Sequence, residues 1–353
     1  MTSPGSAQVV GTGLIGASIA LGLRDQGWHV TGTDTDAGRA EEARRRGVLD
    51  AVGEDPSARL TFVATPVSTV AEVARRAVAA GGIVTDVGSV KVPIVAAVAS
   101  SRFVGGHPMA GSEQEGLVGA DASLFAGATW VLTPTEDTDA AAYALVRSVV
   151  ASLGADVVAV TPERHDALVA VVSHVPHLTA ASLMCLAAEG AVEDATLLRL
   201  AAGGFRDMTR IAAGHPGIWP DICAENREAI VEALDRLLGA LVDVRRLVAG
   251  GDRSGLLRIL EAARTARTNL PARVVRPEDL AELRVPVADR PGVLAEVTTL
   301  AGELSVNIAD LEIAHSAEGE RGVLLLVVDS ADADRLRGAL AERGYRPSVR
   351  PLA

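Results

Sequence analysis

The chain has 353 residues, 48% of them hydrophobic, with a formal net charge of −12 and a mean hydropathy of +0.27. That length accommodates two or three domains with sizeable cores. The acidic balance argues against a general affinity for nucleic acid or anionic membranes, although a locally basic site can still take an anionic substrate.

The first element read along the chain is an apolar strand from Ala7 to Gly11, followed at once by Gly11-Thr12-Gly13-Leu14-Ile15-Gly16 and an apolar helix pattern to about Gln26. His29 to Thr33 reads as a second strand ending at Asp34. Glycines at this spacing between strand and helix, with an acid about twenty residues on, fit dinucleotide binding. Gly11 permits the tight turn, Gly13 lets backbone approach the pyrophosphate, and Gly16 lets helix and strand pack closely. The helix N-terminus then faces the phosphate. Asp34 is expected to accept hydrogen bonds from the adenosine ribose and to repel a 2′-phosphate, which favours NAD over NADP.

Strands and helices keep alternating. Leu60 to Ala64 ends at Thr65-Pro66, a helix covers Val70 to Ala80, and Ile83 to Val87 runs into Gly88-Ser89-Val90-Lys91. Phe103 to Gly105 delivers His107, and Thr129 to Leu132 and Asp156 to Val160 continue the sheet. This alternation predicts a parallel sheet with helices on both faces, whose ligands bind at the carboxyl ends of the strands. Thr65-Pro66, Ser89 to Lys91 and His107 should then line one crevice beside the nicotinamide. His107 lies in Gly105-Gly106-His107-Pro108-Met109-Ala110-Gly111-Ser112-Glu113, a small-residue loop that leaves room for a ligand. Pro108 pushes His107 toward extended backbone, and a neutral imidazole there can accept a proton near pH 7. Lys91 is the only lysine in the chain, a hint that arginine would not serve in its place.

After Pro162 helical periodicity takes over until about residue 280. Ser173-His174-Val175-Pro176-His177 reads as a helix start capped by Ser173, with Pro176 in the first turn. His174 and His177 share a face, but no third ligand stands nearby and no metal is expected. Gly203 to Ile211, with Arg206 and Arg210, makes a plausible carboxylate-binding turn. Pro216 and Trp219 precede a long amphipathic pattern from about Asp221 to Leu247, and another helix spans roughly Leu256 to Asn269. Long apolar helices without a sheet to cover pair with each other or with a second subunit, so this half reads as a dimerisation domain. Beyond a linker at Thr268 to Glu278, a module from Ala281 to Pro351 follows the ferredoxin-like order of strand, helix, strand, strand, helix, strand. Cys185 and Cys223 read as reduced core thiols. No apolar run looks long enough to span a bilayer, and Met1 to Gln8 lacks the order of a signal peptide, so the default is a cytoplasmic enzyme.

With these motifs in place the chain resembles the prephenate dehydrogenase family, which also contains arogenate dehydrogenases. The likeness runs from roughly Gln8 to Leu247 through Gly11 to Gly16, Asp86 to Lys91, Gly106 to Glu113, Ser173 to His177, and Phe205 to Ile211 with Trp219. The C-terminal module resembles an ACT domain, a fold that many amino-acid pathway enzymes use for feedback. The resemblance implies an α/β protein with a Rossmann-type NAD-binding domain over 1–161, an all-helical dimerisation and substrate domain over 162–275, and a ferredoxin-like (ACT) regulatory domain over 280–353.

It also implies a reaction: hydride leaves C4 of prephenate for NAD while the ring carboxylate departs as carbon dioxide, giving 4-hydroxyphenylpyruvate in tyrosine biosynthesis. His107 matches the family's catalytic histidine and Ser89 the serine beside it. Arg210 matches the arginine on the ring carboxylate, and His177 a substrate-contacting histidine. Lys91, Glu113, His174, Asp207 and Trp219 also fall on motif positions. The cofactor set is Gly11, Gly13, Leu14, Ile15, Gly16, Asp34, Thr65 and Pro66. A homodimer is expected, with tyrosine as a possible effector at Asp289, Gly292 and Asn307. Rival readings are arogenate dehydrogenase, an enzyme for an amino-substituted prephenate, a β-hydroxyacid dehydrogenase, and a non-catalytic sensor. The last is disfavoured by the set of Ser89, His107 and Arg210.

Overall fold

Short apolar runs at regular intervals fold into one eight-stranded sheet: β1 (Ser6–Val10), β2 (His29–Thr33), β3 (Ala51–Val52), β4 (Leu60–Val63), β5 (Ile83–Asp86), β6 (Phe103–Pro108), β7 (Thr129–Thr133) and β8 (Asp156–Ala159). Their order is β3-β2-β1-β4-β5-β6-β7-β8, and its first six strands follow the doubly wound dinucleotide-binding order. This is a computed structural model, and it describes residues 5–111, 114, 116–193, 196–270, 280–288, 290–315 and 321–351. The chain divides into two units, Met1–Ile259 and Leu260–Ala353.

Helices α1 (Leu14–Asp25), α2 (Ala37–Arg45), α3 (Val67–Ala79), α4 (Val92–Val98) and α5 (Ala140–Ser152) cover the sheet. All four residues of β4 are buried, as a central parallel strand covered on both faces requires. Ile19 and Leu23 of α1 join Val9, Phe62, Trp130 and Val146 in one core. Each such side chain contributes about 1.5–3 kcal/mol by leaving water.

The expectation of an all-parallel sheet needs one correction. β6 and β7 run antiparallel, pairing Gly105 with Thr133 and Pro108 with Trp130. A parallel return needs a crossover, usually a helix. The described part of the connection carries only a 3-10 turn, Gly116–Val118. Strand direction therefore reverses at the strand that carries His107.

The expected helix start at Ser173 is also corrected. α6 (Pro162–Val169) passes through a π turn, Ala170–His174, straight into α7 (Val175–Glu193). Pro176 has no N–H to donate back along the helix, and a widened turn just before it accommodates that loss. Ser173 thus lies inside the turn and caps nothing. The run Pro162–Val192 is long and apolar enough to cross a membrane by length and composition, contrary to the reading of the sequence. Its first part buries His165, Asp166 and His174, while Val172, Leu186 and Val192 along the same run stand exposed.

The helical segment continues with α8 (Thr196–Arg199), α9 (Gly203–Thr209), α10 (Trp219–Glu225), α11 (Arg227–Ala249) and α12 (Arg253–Thr268). The single helix expected over Asp221 to Leu247 is broken at Asn226, whose side chain turns inward and is buried.

The second unit contains β9 (Leu280–Ala288), α13 (Val293–Glu303), β10 (Ile308–His315), β11 (Arg321–Asp329), α14 (Ser330–Glu342) and β12 (Ser348–Pro351). Its antiparallel sheet has the order β10-β11-β9-β12, the ferredoxin-like arrangement read from the sequence. Leu283, Val285, Leu324 and Leu326 pack beneath Val297, Leu336 and Leu340 of its helices. Gly292 precedes α13 at φ +90°, and Asn307 stands exposed just before β10. Asp289 lies outside the described residues.

Candidate active site

The glycine loop is shaped by close approach. Gly11 has φ +95°, and a Cβ there would stand 2.3 Å from the Ala64 carbonyl oxygen. A Cβ on Gly16 would stand 2.0 Å from the Gly11 carbonyl oxygen. A Cβ on Gly13 would meet nothing within 4 Å, so this face of the loop is open to a ligand. Leu14 and Ile15 form the first turn of α1, which has no side-chain cap and no acidic residue. Its positive end is available to a phosphate. Thr65 and Pro66 lead from β4 into α3, and Thr65 Oγ1 is buried without a hydrogen-bond partner. An open cradle, an unneutralised helix end and an orphaned hydroxyl fit a dinucleotide.

Asp34 stands at the end of β2 but does more than await a ribose. Its Oδ2 accepts from Thr12 N at 2.8 Å and Thr12 Oγ1 at 2.9 Å, and its Oδ1 accepts from Asp36 N at 3.0 Å. The Arg39 guanidinium lies 3.6 Å away. Burial works against ionisation here, but the bonds from Asp36 and Thr12 outweigh it and hold the carboxyl below its ordinary pKa. Of roughly four lone-pair sites on a carboxylate, three are already used, so Asp34 also anchors the glycine loop.

His107 belongs to β6 rather than to a loop after it, and it is buried. The adjacent glycines answer to packing, not to ligand access. A Cβ on Gly105 would stand 2.3 Å from Thr133 Oγ1, and one on Gly106 would stand 2.6 Å from the Asp86 carbonyl oxygen. Asp86 Oδ1 accepts from Gly106 N at 3.0 Å, and Lys91 Nζ donates to Gly106 O at 2.8 Å. Lys91 also pairs with Asp86 Oδ2, and both side chains are completely buried. The expected substrate contact of Lys91 is therefore corrected: its ammonium is consumed inside the protein, holding the backbone beside His107. Burial lowers the Lys91 pKa while Asp86 pulls it back up. Ser89 lies half-buried on the loop between β5 and α4.

His107 Nδ1 lies 2.8 Å from His165 Nε2, and His165 Nδ1 lies 2.7 Å from Asp166 Oδ1. Burial, then the neighbouring His165, Lys91 and His174, keep the His107 pKa well below that of ordinary histidine. His107 is thus a neutral base at physiological pH. Asn226 Nδ2 donates to the Asp166 carbonyl oxygen at 2.9 Å and lies 3.2 Å from His174 Nδ1. Burial pushes the His174 pKa down to about 4, with Asp166 opposing and His165 adding to the shift. His174 Nε2 is buried without a partner. Trp219 stacks on His177 at 3.6 Å between ring centres and meets His174 edge-on at 6.2 Å.

Arg210 is exposed and opens the 3-10 turn Arg210–Ala213. The end of that turn reaches His177, since a Cβ on Gly214 would stand 3.7 Å from His177 Cε1. The helical segment thus brings His177 and Trp219 together beside the end of the turn that Arg210 opens, while the sheet carries His107 on β6 and Ser89 on the loop after β5. Glu113 lies outside the described residues. His165, Asp166 and Asn226 have no place in the reading of the sequence, and Asp86 figures there only as the start of a motif, not as the partner of Lys91. The available signal was Arg164-His165-Asp166 heading an apolar helical run, where unpaired polar residues are rarely buried.

A doubly wound sheet, a glycine cradle and a buried neutral histidine at the carboxyl edge define an NAD-dependent oxidoreductase. Residues 19–159 match the family described as "Prephenate dehydrogenase, nucleotide-binding domain", and residues 161–262 match "Prephenate dehydrogenase, dimerization domain". The chain is 34% identical to a prephenate dehydrogenase of Bacillus subtilis, over 93% of each chain. Among solved structures, it is similar to prephenate dehydrogenase from A. aeolicus in complex with hydroxyphenyl propionate and NAD+. That match has a TM-score of 0.72 and 31% identity, covering 76% of this chain and 99% of that one. Synechocystis arogenate dehydrogenase matches with a TM-score of 0.65 and 33% identity, covering 74% of this chain and 98% of that one. The chain belongs to the prephenate dehydrogenase family.

Proposed function

We propose that this chain oxidises prephenate with NAD, releasing the ring carboxylate as carbon dioxide and forming 4-hydroxyphenylpyruvate. The observation that carries the reading is His107, a buried neutral imidazole whose Nδ1 lies 2.8 Å from His165 Nε2, so that Nε2 is the nitrogen left to face a substrate. NAD, when bound, accepts the hydride from C4. His107 Nε2 accepts the hydrogen bond of the C4 hydroxyl and holds its proton while hydride and carboxylate leave, then returns it to the phenolate oxygen. Ser89 sits at the same sheet edge to orient that hydroxyl. Arg210 offers a two-pronged partner for the ring carboxylate, and the stacked His177 and Trp219 give the ring a flat wall. Gly11 to Gly16, Thr65, Pro66 and Asp34 hold the cofactor.

A second reading, oxidation of arogenate, is favoured by the similarity to the Synechocystis enzyme. Offering purified protein prephenate and arogenate, each with NAD and NADP, separates the two. Prephenate with NAD is the expected productive pair, and turnover of arogenate alone would replace the first reading with the second.

The same reading divides the chain into a cofactor domain over 1–161, a helical domain over 162–275 and a regulatory domain over 280–353. It makes the protein a cytoplasmic homodimer. Support for the dimer comes from Leu238, Leu241 and Val242 of α11, each more than half exposed, and from an apolar cleft of about 610 Å³ between Val175, Met208 and Leu237. The last domain is read as an ACT domain that binds tyrosine between the turn at Gly292 and Asn307. Its support is the ferredoxin-like order and the open space where a Cβ on Gly292 would be.

A further inference from the structure

The pair His165-Asp166 has no part in the reading of the sequence, yet His165 stands against the inner nitrogen of His107. Asp166 is fixed from four directions. Its Oδ1 accepts from Lys91 N at 2.8 Å and lies 2.7 Å from His165 Nδ1. Its Oδ2 accepts from Val92 N at 2.9 Å, and its carbonyl oxygen accepts from Asn226. A carboxylate so placed has only acceptors to offer, so the His165 nitrogen facing it must donate. A neutral imidazole carries one N–H, which leaves His165 Nε2 as an acceptor. The His107 nitrogen 2.8 Å away must then be the donor. The rings meet edge-on at 69°, with centres 5.1 Å apart, so neither can turn without breaking the chain of bonds.

We propose that His165 and Asp166 are positioning residues for the oxidation, acting through His107: they hold it in the tautomer protonated on Nδ1, with Nε2 as the base. This rests on His107 being the base in the reaction proposed above. When Nε2 takes the C4 hydroxyl proton, the cation that forms on His107 still points its Nδ1–H at His165, whose own N–H points at the Asp166 carboxylate. No second proton needs to move. The arrangement has the logic of a catalytic triad, in which a carboxylate orients an imidazole and stabilises the cation formed on it. Here a second imidazole stands between the two.

Two kinds of measurement test it. In ¹⁵N-histidine-labelled wild-type protein, with the His107 signals assigned by their loss in His107→Asn, the neutral ring should carry its proton on Nδ1. In steady-state kinetics, His165→Leu should lower kcat by about a hundredfold or more while leaving KM for prephenate within about threefold. His165→Gln, whose side-chain oxygen can accept the same hydrogen bond, should recover at least about tenfold of that loss. A structural role alone predicts no such recovery and no kcat-specific loss. A wild-type His107 protonated on Nε2, or a His165→Leu enzyme with nearly unchanged kcat, would overturn the proposal. If His107→Asn itself keeps its turnover, the base assignment fails, and that result is separate from the tautomer measured in the wild type.

Discussion

Lys91 and Asp86 are both completely buried, and together they hold both backbone polar groups of Gly106, the residue before His107. Here β6 has left β5, with which it pairs only at Phe103 and Val104. The ion pair takes over where the ladder ends and sets the position of the strand that carries His107.

Replacing Lys91 with Met should therefore destabilise the protein by about 3–5 kcal/mol, the usual cost of stranding one member of a buried pair. Lys91→Arg should not restore stability, because the larger fork must enter a filled space. The Lys91 Cδ already lies 3.3 Å from where a Cβ on Gly105 would be, and overpacking costs about 1–3 kcal/mol. Urea unfolding measures both. A Met variant within about 0.5 kcal/mol of wild type would show that the pair is dispensable.

Asp34 should show two effects at once. Asp34→Ser removes an acceptor for the ribose and also the two bonds that hold Thr12. NAD affinity should fall by more than one lost hydrogen bond explains, beyond about tenfold. The preference over NADP should narrow, since Arg39 loses its carboxylate neighbour and becomes free to meet a 2′-phosphate. Titration with both cofactors tests this. An unchanged NAD affinity would remove Asp34 from the cofactor site.

Arg210→Ala should raise KM for prephenate roughly ten- to a hundredfold, the effect of losing a charge-assisted bond worth about 1.5–3 kcal/mol. Arg210→Lys should recover little, because an ammonium cannot offer the same fork. An unchanged KM would make Arg210 a structural residue.

Stability should fall as pH drops below neutrality. His107 and His174 both have folded-state pKa values lowered by burial, His174 to about 4. The unfolded chain titrates them near 6.5 and binds more protons between the two values, so unfolding free energy rises with pH in that window. The contribution is fully present above pH 6.5 and is lost on acidification, at up to about 1.4 kcal/mol per pH unit for each histidine. Urea midpoints at pH 7 and pH 5 check this, and equal midpoints would contradict it.

Much of this architecture is legible in the sequence because its signals are local. The glycine loop, the strand and helix periods and the ferredoxin-like order each occupy one stretch of chain. The direction of β7 is not local. It depends on the connection from Pro108 to Thr129, and an apolar run reads alike in either direction. Lys91 stands out in the sequence as the lone lysine, but its role depends on Asp86 and on the strand beside both. His165 meets His107 across 58 residues of sequence, and Asn226 meets His174 across 52. No spacing rule joins such pairs before the chain is folded. Pro176 signalled an irregular helix, but as the end of a π turn rather than as a helix start.

The central claim is that His107 is the base for an NAD-dependent oxidation. It is tested most directly by His107→Asn, comparing NAD binding and the turnover of prephenate with wild type. The account predicts NAD affinity close to wild type and turnover lower by about two to four orders of magnitude. Turnover within a few-fold of wild type, with the variant folded and binding NAD, would contradict it.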